Sequence, residues 1–287
     1  MKPANQASFP VRDYDLAASL ASGQAFRWRQ VGEVWEGIIA GCWVRLRQAG
    51  ELIEAETAVP QADWLWLRNF LQLDVDLAAV TATFPDDEPM RASVAACRGL
   101  RLLRQEPWEC LVSFICSSTK QIVQIQQIIA LLCERFGEPI TAGDKGECGF
   151  AFPSAARLAA CTEADLRSCK MGFRAPYVRA AAEAVVSGEL DLTKLHGFST
   201  PAARAALMGL HGVGRKIADC VLLFAYGKQD AFPVDVWVRR ALTELYFPRR
   251  RPSAKRLEHF ANTHFGPNAG YAQQYLFHYV RTLRPKE

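Results

Sequence analysis

Residues 204–240 constrain the fold more than any other stretch, because two breaks divide three helical patterns within it. The turn LHGVG at 210–214 separates the first pattern from the second, and Pro233 separates the second from the third. Glycine permits tight backbone turns and proline cannot continue a helix. The stretch therefore predicts a helix, a glycine hairpin, a helix, a loop and a third helix, with the helix-hairpin-helix at about 203–227.

Two charged residues lie at the turning points of this stretch. Lys216 falls in the first turn after the hairpin, and Asp235 falls where a side chain would cap the next helix. Taken singly, Lys216 can be a surface lysine paired with Asp219, and Asp235 can be a helix cap and nothing more. Taken together they suit attack at a sugar carbon, with an unprotonated lysine as nucleophile and a carboxylate that stabilises an oxocarbenium-like transition state.

The hairpin itself favours nucleic acid as a partner. Gly212, Val213 and Gly214 place unshielded backbone N–H groups beside a helix N-terminus, where they can approach a phosphate closely. An ordinary packing corner between two helices is the alternative interpretation. The formal net charge of +4 permits a polyanionic partner without demanding one.

The rest of the chain divides into a sheet-bearing part and a helical part, so the fold class is predicted to be α+β. Alternating runs at 26–57 predict an antiparallel meander. We expect an N-terminal sheet domain with a flanking helix over residues 1–73 and a helical region over 74–287. The segment 138–152 is predicted to be a loop. Helices are predicted over 122–137, 154–160, 163–170, 175–187 and 269–283. Others are predicted to begin at Asp74 or Asp76, at Asp86-Asp87 (ending at about Cys97) and at Pro107. Two more are predicted from their caps, one with Thr200 as N-cap followed by Pro201 and one after Ser253.

Composition excludes several classes of protein. The nine cysteines are scattered without a C-x-x-C pair, so neither a disulfide framework nor a metal site is predicted. The longest apolar run, around 220–225, is too short to span a bilayer, and the N-terminus has no basic segment followed by a hydrophobic one. We expect a soluble intracellular protein without a membrane partner. A monomer is the default, because nothing indicates oligomerisation.

Several segments carry a resemblance to a known family. The hairpin with Lys216, followed by Val234-Asp235, resembles the helix-hairpin-helix/Gly-Pro-Asp superfamily of DNA glycosylases. Further segments narrow the resemblance to 8-oxoguanine DNA glycosylase/AP lyase: SGQAFRW at 22–28, LLRQ at 102–105, FICSS at 114–118, GFRA at 172–175, and FGP at 265–267 with Ala269-Gly270 and Phe277. The match extends over nearly the whole chain.

This resemblance implies a bifunctional repair enzyme that flips a damaged purine out of duplex DNA containing oxidised guanine. Lys216 would attack the anomeric carbon, expel the base and form a Schiff base that permits β-elimination of the strand. Asp235 would be its electrostatic and proton-handling partner. No cofactor is implied, although a monovalent or divalent cation at the hairpin would help to hold the phosphate.

The resemblance also implies a pocket for the base, which includes Phe26. Gly23 would offer a backbone carbonyl to the N–H that 8-oxoguanine has and guanine lacks. Gln273 would hydrogen-bond the Watson–Crick edge, while Phe277 and Cys220 would sandwich the ring. Considered alone, Phe277 and Cys220 are also compatible with plain core packing.

Some DNA-contacting positions depart from the family. Thr119-Lys120-Gln121 stands in place of an asparagine-rich run that contacts the orphaned cytosine, and Gln124 stands in place of an arginine, although Arg174 is kept. We therefore predict relaxed selectivity for the opposite base. Phe173 can wedge between base pairs. Trp237 stands where a phosphate-binding histidine is usual. The departures favour a bacterial-type member, and we expect a nucleoid-associated cytoplasmic location, or a nuclear one if the chain is eukaryotic.

Three other interpretations compete with this one. An endonuclease-III-like glycosylase for oxidised pyrimidines shares the lysine and aspartate, but those relatives carry a four-cysteine iron–sulfur site and no cysteine follows Cys220 here. Alkylbase glycosylases lack the lysine. A non-catalytic DNA-binding module would use the hairpin for backbone contacts, but it gives no reason for the simultaneous presence of four residues, Lys216, Asp235, Gly23 and Gln273. The basic run 249–256 contacts phosphates, serves as a localisation signal, or is a solvated loop.

Overall fold

An antiparallel sheet of five strands forms the N-terminal part of the chain. The computed structural model describes residues 4–141, 146–249 and 252–283. The strands are β1 (Ala4–Pro10), β2 (Arg29–Val31), β3 (Val34–Ile39), β4 (Cys42–Ala49) and β5 (Leu52–Gln61), and they lie in the order β1-β5-β4-β3-β2. The predicted antiparallel sheet is confirmed. Strand β1 was not predicted. Only Phe9 in it is buried, so its sequence shows no alternation of apolar and polar residues.

One face of this sheet is buried against two helices, α1 (Leu16–Ala21) and α2 (Leu65–Leu71). Val44, Leu46 and Ile53 are completely buried there, and Trp28 covers the sheet next to Gly37. A side chain at position 37 would collide with the Trp28 ring, since a Cβ there would lie 2.6 Å from its Cε3. The glycine therefore allows the indole to close the small core.

The remainder of the described chain is mostly helical, which confirms the predicted α+β class. The helices are α3 (Leu77–Thr81), α4 (Glu88–Ala96), α5 (Pro107–Cys116), α6 (Ile122–Phe136), α7 (Ala155–Ala159), α8 (Glu163–Ser168), α9 (Ala175–Ser187), α10 (Thr200–Met208), α11 (Arg215–Phe224), α12 (Val236–Tyr246), α13 (Ala254–His264) and α14 (Ala269–Leu283). No helix among the described residues is both long and apolar enough to cross a membrane.

Helix α5 is the central element of the helical part. Its residues from Cys110 to Cys116 are all buried, and it packs against α11, α9 and α6. Glu106 caps it by accepting hydrogen bonds from the backbone N–H groups of Trp108 and Glu109. Because α5 ends at Ser117, the chain emerges from the core at that residue, beside α11.

An ion pair ties the sheet to α5. Nη1 of Arg27 lies 3.1 Å from the Glu109 carboxylate, and the same guanidinium donates to the carbonyl oxygen of Phe150. Both side chains are largely buried, and desolvation raises the pKa of Glu109 despite the arginine beside it. The contact fixes the segment around Phe26 relative to the helices.

The segment 138–152 is not entirely a loop, and that prediction is wrong for part of it. It contains a two-stranded antiparallel hairpin of β6 (Pro139–Thr141) and β7 (Glu147–Phe150). Three and four residues are too few to give an alternating pattern, and Gly149 adopts a φ of 129° that strands rarely use. Residues 142–145 between them lie outside the described residues.

The start of α10 also differs from the prediction by one residue. Ser199, rather than Thr200, is the N-cap, and its hydroxyl accepts from the backbone N–H of Ala202. Thr200 is the first helical residue, and its hydroxyl donates to the Asp230 carboxylate at 2.6 Å. The two hydroxyl residues are adjacent, so capping rules alone do not distinguish them.

The basic run 249–256 is described only in part. Residues 250 and 251 lie outside the described residues, so the interpretations of this run stay predictions. Ser253 caps α13 as predicted, because its hydroxyl accepts from the Arg256 N–H at 3.2 Å. The Arg256 guanidinium lies over the Phe247 ring, 5.4 Å from its centroid.

Candidate active site

A cleft of about 1150 Å³ opens between the N-terminal part and the helices. All the catalytic and base-pocket residues predicted from the sequence line it, and they come from both ends of the chain: Gly23, Phe26, Lys216, Cys220, Asp235, Gln273 and Phe277. Its described lining includes four cationic side chains, of Lys120, Lys216, Arg240 and Arg281, against one carboxylate. The cleft therefore favours an anionic ligand.

The hairpin between α10 and α11 leads into the helix that carries Lys216 and Cys220 into the cleft. Val213 closes the turn by donating its backbone N–H to the carbonyl of Leu210 at 3.1 Å. Gly212 has a φ of 82° and packs so closely on Tyr177 that a Cβ would lie 2.3 Å from the ring. Gly214 is the N-cap of α11. This arrangement leaves the start of α11 exposed beside the cleft.

Lys216 extends from the first turn of α11 toward the end of α5. Its Nζ donates a hydrogen bond to Oγ of Ser117 at 2.9 Å and lies 5.4 Å from the centroid of the Phe114 ring. Asp219, the alternative partner considered for this lysine, is engaged by Arg204 at 2.6 Å and by Arg215 at 3.5 Å. The Lys216 amine is thus held in the cleft rather than on an exposed helix face.

Asp235 is the N-cap of α12, as the sequence predicts. Its Oδ1 accepts the backbone N–H of Val238 at 2.7 Å. Burial raises the pKa of the Asp235 carboxyl, and the Val238 N–H and the charge of Lys216 partly oppose this rise. The carboxylate therefore belongs to the same electrostatic environment as the lysine, with a conformation fixed by its capping role.

Aromatic rings form the floor of the cleft. Phe114 stacks on Phe224 with centroids 5.4 Å apart and meets Phe26 edge-on at 5.6 Å. Cys220 lies nearby on α11 and is buried, which raises the pKa of its thiol to about 12. It is a neutral thiol at physiological pH, suited to packing against a planar ligand rather than to nucleophilic attack.

Gly23 occupies a rigid turn after α1. Its φ is 83°, and a Cβ there would lie 2.5 Å from Cδ1 of Ile122. The next residue, Gln24, fastens the turn: its side-chain amide donates to the carbonyls of Ser19 and Arg101, and its side-chain oxygen accepts from the N–H of Leu103. The backbone at Gly23 is therefore fixed at the cleft wall.

Gln273 presents a hydrogen-bonding side chain that is only 4% exposed. Its Oε1 is buried and has no hydrogen-bond partner in the described part of the chain. A buried acceptor without a partner costs free energy, on the order of 1–3 kcal/mol. A ligand that donates a hydrogen bond into the cleft would remove that cost.

The predicted DNA-contacting residues differ in exposure, and among them Trp237 lines the cleft. Phe173 is 51% exposed, and Trp237 is 41% exposed in the first turn of α12. Gln124 is exposed and accepts the backbone N–H of Gln121 at 3.1 Å. Their exposure is compatible with contact to DNA, and their roles stay predictions.

Arg174 differs from these residues because it is buried. Its Nε donates to the Ser118 carbonyl at 2.9 Å, its Nη1 to the Met171 carbonyl at 3.1 Å, and its Nη2 to Oγ1 of Thr119 at 2.7 Å. Thr119 has a φ of 52°, which is unusual for a β-branched residue. In this conformation Arg174 shapes the loop that bears Thr119, and contact with DNA would require it to exchange partners.

Sequence reasoning missed the roles of three residues. Ser117, quoted only as part of a motif, is the partner of Lys216, and Tyr177 supports Gly212. Arg281 lies against the base pocket one helical turn after Phe277. The signal available for Arg281 was its place one helical turn after Phe277, on a helix with no other lysine or arginine. Nothing in the local sequence marks the other two.

The described residues hold no cluster of three or more histidine, cysteine, aspartate or glutamate side chains able to bind a metal ion. The cation at the hairpin stays a prediction. The site combines a glycine hairpin with a lysine that it carries into a deep cationic cleft, beside a capping aspartate. This is the arrangement expected of a helix-hairpin-helix DNA glycosylase.

Comparison with known proteins assigns the family. Residues 7–111 match the 8-oxoguanine DNA glycosylase N-terminal domain, and residues 112–267 match the HhH-GPD superfamily of base excision DNA repair proteins. A "Probable N-glycosylase/DNA lyase" of Methanothermobacter thermautotrophicus is 34% identical, over 95% of each chain. An N-glycosylase/DNA lyase of Arabidopsis thaliana is 30% identical, over 94% of this chain and 79% of that protein.

A solved structure gives the same result. Clostridium acetobutylicum 8-oxoguanine glycosylase/lyase, in complex with double-stranded DNA that has cytosine opposite 8-oxoguanine, is 30% identical to this chain. Its TM-score is 0.89, and the match covers 98% of this chain and 99% of that one. The chain therefore belongs to the 8-oxoguanine DNA glycosylase family of the HhH-GPD superfamily.

Proposed function

We propose that the cleft removes 8-oxoguanine from duplex DNA and then cleaves the abasic strand. The chain is a bifunctional DNA N-glycosylase and AP lyase of base excision repair. The observation that carries the assignment of the active site is the position of Lys216, whose amine is anchored to Ser117 inside the cleft at 2.9 Å. Related oxidised or ring-opened purines fall within the same substrate class.

The first step is substitution at the anomeric carbon. The lone pair of the neutral Lys216 amine forms a bond to C1′ while the glycosidic C–N bond breaks. The electron pair of the glycosidic bond leaves with the base, and the base takes up a proton. The positive charge that develops on the sugar is stabilised by the Asp235 carboxylate. Because Asp235 also caps α12, it contributes this charge without reorganising.

The second step is strand cleavage. The C1′–O4′ bond opens, the nitrogen loses a proton and O4′ gains one, which leaves a Schiff base between Lys216 and the sugar. Loss of a C2′ proton then expels the 3′ phosphate by β-elimination. Asp235 lies in the cleft with Lys216, and its carboxyl group would accept and donate the protons of the nitrogen, O4′ and C2′.

Recognition of the base is assigned to other residues that line the cleft. We propose that the Gly23 carbonyl accepts the N–H that distinguishes 8-oxoguanine from guanine. The unpartnered Oε1 of Gln273 supports a contact to the Watson–Crick edge, and Cys220 and Phe277 would enclose the ring. One hydrogen bond supplies on the order of 1 kcal/mol, so discrimination is shared with the base-flipping step.

Contact with the duplex is assigned to the mouth of the cleft. The backbone N–H groups of Gly212 and Gly214 would bind a phosphate, and Val213 would hold the turn between them, because its own N–H donates to the Leu210 carbonyl. Exposed Phe173 would wedge between base pairs. We assign the remaining duplex contacts to Thr119, Gln124, Arg174 and Trp237. We propose that the protein acts as a monomer on duplex DNA, because all the proposed catalytic and base-pocket residues line one cleft.

Borohydride trapping tests the proposal. Reduction during reaction with a duplex that contains one 8-oxoguanine should yield a covalent protein–DNA adduct, and Lys216→Gln should abolish it. Lys194→Gln, an exposed lysine outside the cleft, is the matched control and should leave the adduct unchanged. An undiminished adduct in Lys216→Gln would remove Lys216 as the nucleophile.

The same assay separates the competing substrate class. A duplex with an oxidised pyrimidine should give a much lower initial rate of adduct formation than the 8-oxoguanine duplex. The match of residues 7–111 to the 8-oxoguanine glycosylase N-terminal domain supports this order. The reverse order would assign the chain to pyrimidine lesions.

A further inference from the structure

Arg281 contacts two parts of the proposed base pocket at once. Its Nη2 donates to the backbone carbonyl of Ala21 at 2.7 Å, two residues before Gly23. Its guanidinium carbon lies 5.5 Å from the centroid of the Phe277 ring, one helical turn earlier on α14. The guanidinium thus bridges the turn that bears the Gly23 carbonyl and the ring that would cover the base.

The contact with Gly23 is close. A Cβ built on Gly23 would lie 2.8 Å from Nη1 of Arg281 and 2.5 Å from Cδ1 of Ile122. The turn is therefore confined between α6 and α14. A second tie to α14 is weaker, because the side-chain amide of Gln274 donates to the Ser22 carbonyl at 3.3 Å.

Placing Arg281 in this space costs free energy, because a charged guanidinium is partly removed from water. Its side chain lines the cleft and is partly buried, and this burial lowers the pKa of its guanidinium. Within the described ranges no carboxylate forms an ion pair with it. A leucine would cover Phe277 without desolvating a charge, so packing alone does not account for a cation here.

We propose that Arg281 is a positioning residue for base recognition, which holds the Gly23 turn and the Phe277 ring at the separation that an oxidised purine requires. The inference rests on the proposed function of the cleft. Hydrogen bonds weaken steeply with distance and angle, so a small shift of the Gly23 carbonyl would forfeit the contact that identifies 8-oxoguanine. Misplacement by about 1 Å can lower a rate about a hundredfold.

This role predicts a selective defect. Excision of the base requires the pocket, whereas β-elimination at a preformed abasic site requires Lys216 but no base in the pocket. Arg281→Leu should therefore lower the single-turnover rate of 8-oxoguanine excision at least about tenfold, which corresponds to about 1.4 kcal/mol. Its rate of cleavage of a preformed abasic site should stay within about twofold of wild type.

Two further variants sharpen the test. Arg281→Lys keeps the charge and can still reach one carbonyl, but it lacks the planar fork, so it should restore part of the excision rate. Arg179→Leu removes an exposed arginine that pairs with Glu183 on α9, and both activities should stay at wild-type values. All variants are compared in the full chain on duplexes of one sequence.

The outcomes are distinct. Equal losses of excision and abasic-site cleavage in Arg281→Leu would indicate a general effect on folding or DNA binding and would overturn the inference, as would unchanged excision. A wild-type chain that cleaves abasic sites but does not excise 8-oxoguanine would overturn the proposed function itself. Selective loss with partial rescue by lysine supports the positioning role.

Discussion

Nζ of Lys216 and Oγ of Ser117 lie 2.9 Å apart, joining the start of α11 to the end of α5. The Ser117 hydroxyl gives its own proton to the Phe114 carbonyl at 2.7 Å, so its oxygen is oriented to accept from the amine. The nucleophile is therefore held by the residue that caps the buried helix α5. Its position depends on a contact between residues 99 positions apart.

Ser117→Ala should slow base excision about tenfold, because the amine loses its anchor and samples more rotamers. An ordinary hydrogen bond contributes about 0.5–1.5 kcal/mol, and a tenfold change in rate corresponds to about 1.4 kcal/mol. Single-turnover rates at saturating enzyme measure the effect. Ser187→Ala removes a comparable hydroxyl that donates to the Ala184 carbonyl at the end of α9, and it should have no effect on the rate. An unchanged rate in Ser117→Ala would show that the anchor is dispensable.

Asp235→Asn should lower excision a hundredfold or more, because the developing positive charge loses its carboxylate. Burial raises the pKa of Asp235 above its ordinary value of 3.8. The wild-type excision rate should therefore fall as the pH decreases through the raised pKa. The asparagine variant should lack that dependence. Excision rates of both proteins between pH 4 and 8 check these two statements. If the rate of Asp235→Asn also fell at low pH, the pH dependence would belong to another group.

The same substitution should stabilise the fold at neutral pH. A carboxyl with a raised pKa binds its proton more tightly in the folded chain, so the free energy of unfolding decreases as the pH rises from 3.8 through the raised pKa. Asparagine also caps helices well. The thermal midpoint of Asp235→Asn should exceed that of wild type at pH 7, and the gain should shrink toward pH 4. Asp76→Asn, at the exposed cap of α3, should show no such gain.

The sequence predicts the parts of this site that are local and misses those that are not. Gly212, Lys216 and Asp235 lie within a short stretch whose helix breaks and caps are explicit in residue types. The hydrogen bond from Arg281 to Ala21 joins residues 260 positions apart. No periodicity or capping rule reports such a pair, because both depend on neighbours along the chain.

The fold shows the same division. Helices α6 and α14 follow from their apolar spacing, whereas β1 is revealed only by its pairing with β5, in which Phe9 faces Ile53. Thr200 was predicted as the N-cap of α10, but Ser199 is the cap. The Thr200 hydroxyl instead donates to the Asp230 carboxylate, 30 positions away in the sequence. Tertiary contacts decided each of these points.

Selectivity for the base opposite the lesion is predicted to be relaxed. Thr119 is held by Arg174, and the arginine donors point to the Ser118 and Met171 carbonyls, so this loop offers few free donors to an orphaned cytosine. Excision opposite cytosine should be less than about a hundredfold faster than opposite adenine. A larger ratio, roughly 2.7 kcal/mol or more, would contradict the prediction.

A substitution extends this test. Thr119→Asn should increase the preference for cytosine, because asparagine supplies an amide donor at this position. It also tolerates the φ of 52° better than a β-branched residue, so the thermal midpoint should not fall. Val123→Asn, an exposed position in the first turn of α6, is a control for a new amide at the cleft mouth, with no expected change in preference.

Alanine substitutions at Gly212 and Gly214 should affect the stability of the hairpin and its affinity for DNA to different extents. Gly212 has a φ of 82°, and a Cβ would lie 2.3 Å from Tyr177, whose ring also contacts His211 and Phe173. Gly212→Ala should therefore lower stability by about 2 kcal/mol, through left-handed strain and a displaced ring, and should weaken DNA binding through Phe173 as well.

Gly214 has room for a methyl group, because a Cβ added there would meet no atom within 4 Å beyond its own chain neighbours, and its φ is −89°. Gly214→Ala should lower stability by less than about 1 kcal/mol, the loss of a tolerated N-cap. Its methyl would enter the space where a phosphate approaches the backbone N–H groups, so affinity for duplex DNA should fall at least about tenfold. Thermal unfolding and fluorescence anisotropy at one fixed salt concentration measure the two quantities. Unchanged affinity in Gly214→Ala would show that the hairpin is a packing corner and that phosphate binding lies elsewhere.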